Sequence, residues 1–295
     1  MFRKVAIVLA AALLLGGCTS VEPKPWTAGT GPIKIVASTD VWGSVANLVA
    51  GNTATVTALI YNASQDPHSF EPSARDQLAI NNADIVIMNG GGYDDFIEKM
   101  VNADPTPAIL VNAYMASGDD QTRNEHIWND VDQVGDVATV IGGAIEAIDK
   151  TKSEQVWASV DSFKAKLSAL KTRLDSLKAH KTCGRVFATE PVIDYLLADA
   201  GCQNVTPVAF SRAIEEERDV PPAVMKKAKQ ELAVPGTILV SNISVTSSQI
   251  SELESGHIGE FGFGELLPQD SDTGSYGGNY LDMIGASITM LGWKR

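Results

Sequence analysis

Three kinds of residue are scarce in this sequence, and each scarcity excludes something. Cysteine occurs 3 times in 295 residues, too few to build a thiolate metal site. Aromatic residues make up only 6%, so an aromatic-lined pocket for an organic solute is not advertised. Lys and Arg number 23 against 36 Asp and Glu, a formal net charge of −13. Nucleic acid as the main partner is excluded by that balance, because phosphate contacts need clustered cations. Long hydrophobic runs are also missing: beyond the first residues, no window holds 18 apolar residues in succession, so nothing else should span a bilayer. What is present describes a globular chain. Hydrophobic residues at 44% and charged residues at 20% suit a buried core, and the length allows one large domain or two lobes. The acidic balance fits a protein that handles cations or sits in an open, dilute compartment.

The amino terminus reads as an address. Arg3 and Lys4 precede an apolar run, Val5–Leu15, of 11 residues, shorter than the ~20 a spanning helix needs. Leu15-Gly16-Gly17-Cys18 resembles a bacterial lipobox, which makes residues 1–17 a lipoprotein signal peptide and Cys18 the diacylated first residue. Removing residues 1–17 takes away Arg3 and Lys4 and leaves a charge of −15. Residues 18–32 mix Pro, Gly, Ser and Thr without apolar periodicity, as a flexible tether would. The expected location is the extracytoplasmic face of the cell membrane. In an exported protein the remaining pair, Cys183 and Cys202, invites a disulfide. Each precedes an expected strand with one helix between, although two unpaired buried thiols are the alternative.

Strands and helices alternate. Strands are expected at Ile33–Thr39, Thr55–Ile60, Asp84–Asn89, Ala108–Ala113, Arg185–Thr189, Asn204–Phe210 and Thr237–Asn242. Helices are expected at Val41–Ala50, Ser73–Asn81, Tyr93–Val101, Pro191–Ala200 and Pro222–Leu232. This order suggests parallel sheets built from βαβ units. It breaks from Gln155 to Lys178, where there is no Gly or Pro and where Val156, Val160, Phe163, Leu167, Leu170, Leu174 and Leu177 recur at alternating steps of four and three. That stripe marks one long helix, read as a rod between lobes. The expected organisation is α/β: a Rossmann-like N-terminal lobe over 33–150, a rigid linking helix within 151–180, and a Rossmann-like C-terminal lobe over 181–295.

Ligand-bearing residues cluster after strand ends, where open α/β sheets bind their ligands. His68 lies in Asp66-Pro67-His68-Ser69-Phe70-Glu71-Pro72-Ser73, and His126 in Asn124-Glu125-His126-Ile127-Trp128-Asn129-Asp130. Glu190 follows the expected strand Arg185–Thr189. Asp270 lies further on, with Asp272 its competitor. Two neutral imidazoles and two carboxylates would cancel the charge of a divalent cation, and mixed nitrogen and oxygen ligation suits Mn²⁺, Fe²⁺ or Zn²⁺. A closed four-ligand set favours binding over catalysis. Asp130 is a candidate to orient His126. Glu215-Glu216-Glu217 reads as a solvated face or loop, Gly90-Gly91-Gly92 as a turn, His180 as a helix-end residue and His257 as a loop residue.

The Asp66–Ser73 and Asn124–Asp130 motifs, with Thr189-Glu190-Pro191-Val192-Ile193-Asp194-Tyr195, resemble those of cluster A-I metal-binding lipoproteins. These are the solute-binding subunits of zinc and manganese ABC importers (solute-binding family 9). Asp270-Ser271 followed by Asn279–Ile284 resembles a fourth motif at shorter spacing. The resemblance runs from Ile33 to Gly292. It implies two lobes joined by a long helix, metal in the cleft, His68, His126, Glu190 and Asp270 as ligands, and an ABC permease as partner to a monomeric receptor that is not an enzyme. The absence of a His-rich loop between His68 and His126, with Glu190 where zinc members tend to carry His, favours Mn²⁺ or Fe²⁺ over Zn²⁺. A metal-dependent hydrolase and an adhesin-like surface lipoprotein are the rival readings.

Overall fold

The computed structural model describes residues 31–62, 65–118, 124–242, 247–254, 260–263, 267 and 278–292. The signal segment, Cys18, His257, Asp270 and Asp272 lie outside them.

The N-terminal half runs β1 (Ile33–Thr39), α1 (Asp40–Ala50), β2 (Ala54–Ile60), α2 (Ala74–Asn81), β3 (Ile85–Met88), α3 (Phe96–Ala103), β4 (Ile109–Asn112) and a short α4 (Ala113–Ala116). Its four strands are all parallel and ordered β2-β1-β3-β4. β3 is buried at every position, as a central strand covered on both faces must be. Ser73 caps α2 reciprocally with Asp76: its side chain accepts from the Asp76 N–H, and Asp76 Oδ2 accepts from the Ser73 N–H at 2.7 Å.

Two helices follow, α5 (Val131–Ile148) and α6 (Ser153–Ala179). At 27 residues, α6 is about 40 Å long. Val156, Val160, Phe163, Leu167, Leu170 and Leu174 are its buried face, the stripe that alternating steps of four and three require. The second half runs β5 (Arg185–Ala188), α7 (Asp194–Asp199), β6 (Gln203–Asn204), α8 (Val208–Glu215), α9 (Pro222–Leu232), β7 (Thr237–Asn242), α10 (Ser248–Glu254), β8 (Glu260–Phe263) and α11 (Tyr280–Leu291). Its sheet is again parallel, ordered β6-β5-β7-β8.

One expected element is corrected. The strand expected over Asn204–Phe210 shrinks to β6, and α8 begins at Val208. Pro207 ends the extended stretch, and Phe210, Ala213 and Ile214 are buried at helical spacing. The disulfide joins Cys183 to Cys202 with Cα atoms 4.9 Å apart. It fastens the amino-terminal ends of β5 and β6, which pair from Arg185↔Gln203 onward.

Each sheet has its own apolar cover on one face. Val36, Ile80, Val86 and Ile97 belong to the first, and Phe187, Phe210, Ala213 and Leu239 to the second. The opposite faces share a single core that runs through α1, α5, α6, α7 and α11. Lys171 of α6 adds a polar tie, lying 3.1 Å from Asp132 of α5 and 2.9 Å from Asp199 of α7.

Candidate metal centre

In both sheets the chain reverses its winding between the two central strands, β1 and β3 or β5 and β7. Such switch points leave a crevice at the carboxyl ends of the strands. Loops from both lobes meet at the strand ends.

The loop after β2 carries His68. Asp66 shapes it: its Oδ1 accepts the His68 N–H at 3.0 Å and its Oδ2 accepts the Ser69 hydroxyl at 2.8 Å. The loop after β3 carries Tyr93, reached through three glycines with φ of 77°, 67° and 96°. A side chain at Gly90 would overlap Asn112, so this turn demands glycine. Asp94 closes the turn by accepting the Asn89 and Gly90 N–H groups at 2.6 and 2.8 Å; burial pushes its carboxyl upward. Tyr93 then stands edge-on to His68 and His126, with ring centroids 5.0 and 5.7 Å apart. Trp128 covers His126 from another side at 5.0 Å. His126 is fully buried in this aromatic wall.

The carboxylate that meets both rings is Glu215, the last residue of α8. Its Oε1 lies 3.1 Å from His126 Nε2 and 3.5 Å from His68 Nε2. Burial alone would raise its carboxyl. The His126 and His68 rings beside it outweigh that and hold it at about 2. Glu125 completes a group of four, with His68, His126 and Glu215, whose ligand atoms all lie within 4.8 Å of one another. Asp194, at the start of α7, stands close enough to feel the charge of His126 and Glu215. Burial is the larger influence and pushes it up to about 6, although the Asn204 amide donates to it at 2.8 Å.

Sequence-expected residues are therefore placed as follows. His68 and His126 come together. Glu190 is 3% exposed at the end of β5 and stands outside the group of four. Glu215, expected as a solvated face or loop, occupies the centre instead, because α8 replaces the expected strand and directs its last residue inward. Asp130 does not orient His126: its side chain caps α5 by accepting the Gln133 N–H at 3.2 Å. Asn124 takes that position, with Oδ1 2.6 Å from His126 Nδ1. Glu125 was visible in the His126 motif, but one carboxylate beside a histidine carries no direction until the fold supplies it.

Residues 35–291 match the family model described as ZnuA, zinc-uptake complex component A, periplasmic. The chain belongs to this family. The family is one of metal-binding periplasmic solute-binding proteins. The manganese-binding lipoprotein MntA of Halalkalibacterium halodurans is 25% identical over 168 residues, which cover 56% of this chain and 55% of that protein. The chain thus aligns with about half the length of that curated relative. Among solved structures, FpvC of Pseudomonas aeruginosa in complex with Mn²⁺ superposes at a TM-score of 0.70, with 19% identity over 88% of this chain and 97% of its own. A crystal structure of ZnuA gives a TM-score of 0.72, with 18% identity over 89% and 98%. The periplasmic metal-binding protein of Candidatus Liberibacter asiaticus gives 0.69, with 18% identity over 88% and 98%. At these identities the likeness shows a shared fold, and the family follows from the sequence match.

Proposed function

We propose that this family member is a monomeric receptor, anchored outside the cytoplasmic membrane through Cys18, that captures one divalent transition metal between its lobes and delivers it to an ABC permease. The observation that carries the reading is the meeting of His126 Nε2 and Glu215 Oε1 at 3.1 Å. That nitrogen is buried and, among the described residues, has no hydrogen bond. The other ring nitrogen, Nδ1, faces the Asn124 oxygen, so in the neutral ring Nε2 carries a lone pair. The carboxylate oxygen and the ring nitrogen attract each other while the ring is protonated, and a divalent cation can take the place of that proton between them.

His68, His126 and Glu215 are the proposed ligands, with Glu125 within reach. Glu190 and Asp270, with Asp272 beside it, stay in the proposal as carboxylates that compete for the remaining positions. Mn²⁺ or Fe²⁺ suits this oxygen-rich set better than Zn²⁺, and the manganese-binding relative agrees with that preference. Elemental analysis of the purified protein, followed by titration with Mn²⁺ and Zn²⁺, tests the assignment. Loss of binding in H68A and H126A is expected, and binding equal to wild type in both would refute it. Comparing E215Q, E125Q and E190Q ranks the carboxylates.

A further inference from the structure

Asn124 sits where the His126 loop touches the other lobe, and every polar atom of its side chain is engaged. Its Nδ2 donates to the Pro191 carbonyl at 2.7 Å. Its Oδ1 accepts the His126 backbone N–H at 2.9 Å and lies 2.6 Å from His126 Nδ1. Its own carbonyl accepts the Tyr195 hydroxyl at 2.7 Å. The amide orientation follows from chemistry. The Pro191 oxygen can only accept, so the NH₂ must point to it, and the His126 backbone N–H can only donate, so the oxygen must point there. With an amide oxygen before it, His126 Nδ1 must carry the proton.

We infer that Asn124 is a positioning residue for metal capture: it locks His126 in the tautomer that frees Nε2 for the ion, and it hangs that ring from Pro191 of the C-terminal lobe. The inference rests on His126 being a metal ligand. It adds that the ring is prepared before the ion arrives, by a neutral amide instead of a carboxylate. A carboxylate there would make the imidazole a stronger donor; an amide fixes direction while leaving the ring an ordinary one. Pro191 directly follows Glu190, so one side chain ties a proposed N-lobe ligand to the segment that bears a proposed C-lobe carboxylate. Asn129 reinforces the seam by donating to the Val192 carbonyl at 2.7 Å.

The test uses full-length protein in mild detergent, with ¹⁵N-labelled histidine and Mn²⁺ or Zn²⁺ as the titrant. In metal-stripped wild type, the ring ¹⁵N shifts should identify His126 as the Nδ1–H tautomer. N124A should shift it toward the Nε2–H form and weaken metal binding roughly 10–100-fold, with the circular dichroism of a folded protein. N124D keeps the acceptor and loses the donor to Pro191, so it should restore the Nδ1–H tautomer. Unchanged tautomer and affinity within twofold of wild type in N124A would overturn the inference while leaving His126 as a ligand. Wild-type binding by H126A would instead overturn the parent reading, and this one with it.

Discussion

Asp40 opens α1 at the carboxyl end of β1 and is 3% exposed. Its Oδ1 accepts the Leu267 N–H at 3.3 Å, and its Oδ2 is buried without a hydrogen bond among the described residues. Burial raises its carboxyl from the ordinary 3.8 to about 7, although backbone N–H groups from Leu267, Val41 and Asp40 itself pull it back. Between those two values the folded chain holds a proton that the unfolded chain has released, so stability falls as pH rises through that window. At roughly 1.4 kcal/mol per pH unit, the penalty is about 1.5 kcal/mol at pH 5 and about 4 kcal/mol at pH 8. Asp40→Asn keeps the oxygen that accepts from Leu267 and removes the charge. Its NH₂ group subtracts a further amount, about 1–3 kcal/mol if it finds no acceptor, and that amount does not vary with pH. The diagnostic is therefore the slope. Urea unfolding of the metal-stripped wild type and D40N at pH 5 and pH 8 should show D40N gaining about 2.5 kcal/mol on the wild type across the interval. A stability difference that stays flat would mean that Asp40 is not a buried, protonated carboxyl.

Glu215→Gln should cost metal affinity on the order of 3 kcal/mol, about a hundredfold, by isothermal titration, and a larger loss in E190Q than in E215Q would move the centre to the end of β5. Leu174 is fully buried on α6, so L174A should destabilise the fold by about 2–5 kcal/mol in denaturant unfolding; a change under about 0.5 kcal/mol would mean that the rod does not hold the core. Replacing Cys183 and Cys202 together by serine removes a link between residues 19 apart and should cost about 3 kcal/mol. Metal affinity should be preserved in that double variant, because the disulfide fastens the amino-terminal ends of strands whose carboxyl ends face the centre. A matching loss of affinity would contradict that separation.

How much of this was legible follows from which signals are local. β1 and β7 lie where their apolar runs place them, because a central parallel strand is a nearly continuous buried run, broken in β1 by Lys34 alone. The α6 stripe was legible for the same reason: a periodicity sustained over six turns has few competing explanations. His68 and His126 were legible as rare residues in rigid motifs after strand ends. Glu215 was not, because it begins a run of three glutamates and a charge run reads as solvent-facing. The signal that could have found it was Phe210-Ala213-Ile214, which ends a helix with Glu215 one residue beyond its buried face. Asn124 was hidden for another reason. Its partners Pro191 and Tyr195 are 67 and 71 residues away, and no local pattern encodes a pairing at that range.

The lobes do not meet as two bodies on a hinge. Their facing surfaces are one apolar cluster, α6 runs the length of it without a break, and the seam beside the centre is closed by specific bonds. Asn124 and Asn129 reach Pro191 and Val192, Tyr195 returns to Asn124, and Tyr280 of α11 donates to the Trp128 carbonyl at 2.8 Å. Swinging the sheets apart would break all four bonds and expose Trp128 and Tyr280, each at most 1% exposed, to water. Glu215 is held differently. It ends an eight-residue helix that follows an edge strand of two residues, and Glu216 and Glu217 beyond it are exposed. Moving α8 requires none of the seam bonds to break. On the proposed reading, a small displacement of α8 would open the group around the two histidines without breaking those bonds, at the cost of disturbing Phe210, Ala213 and Ile214, which are buried in one cluster with Phe187.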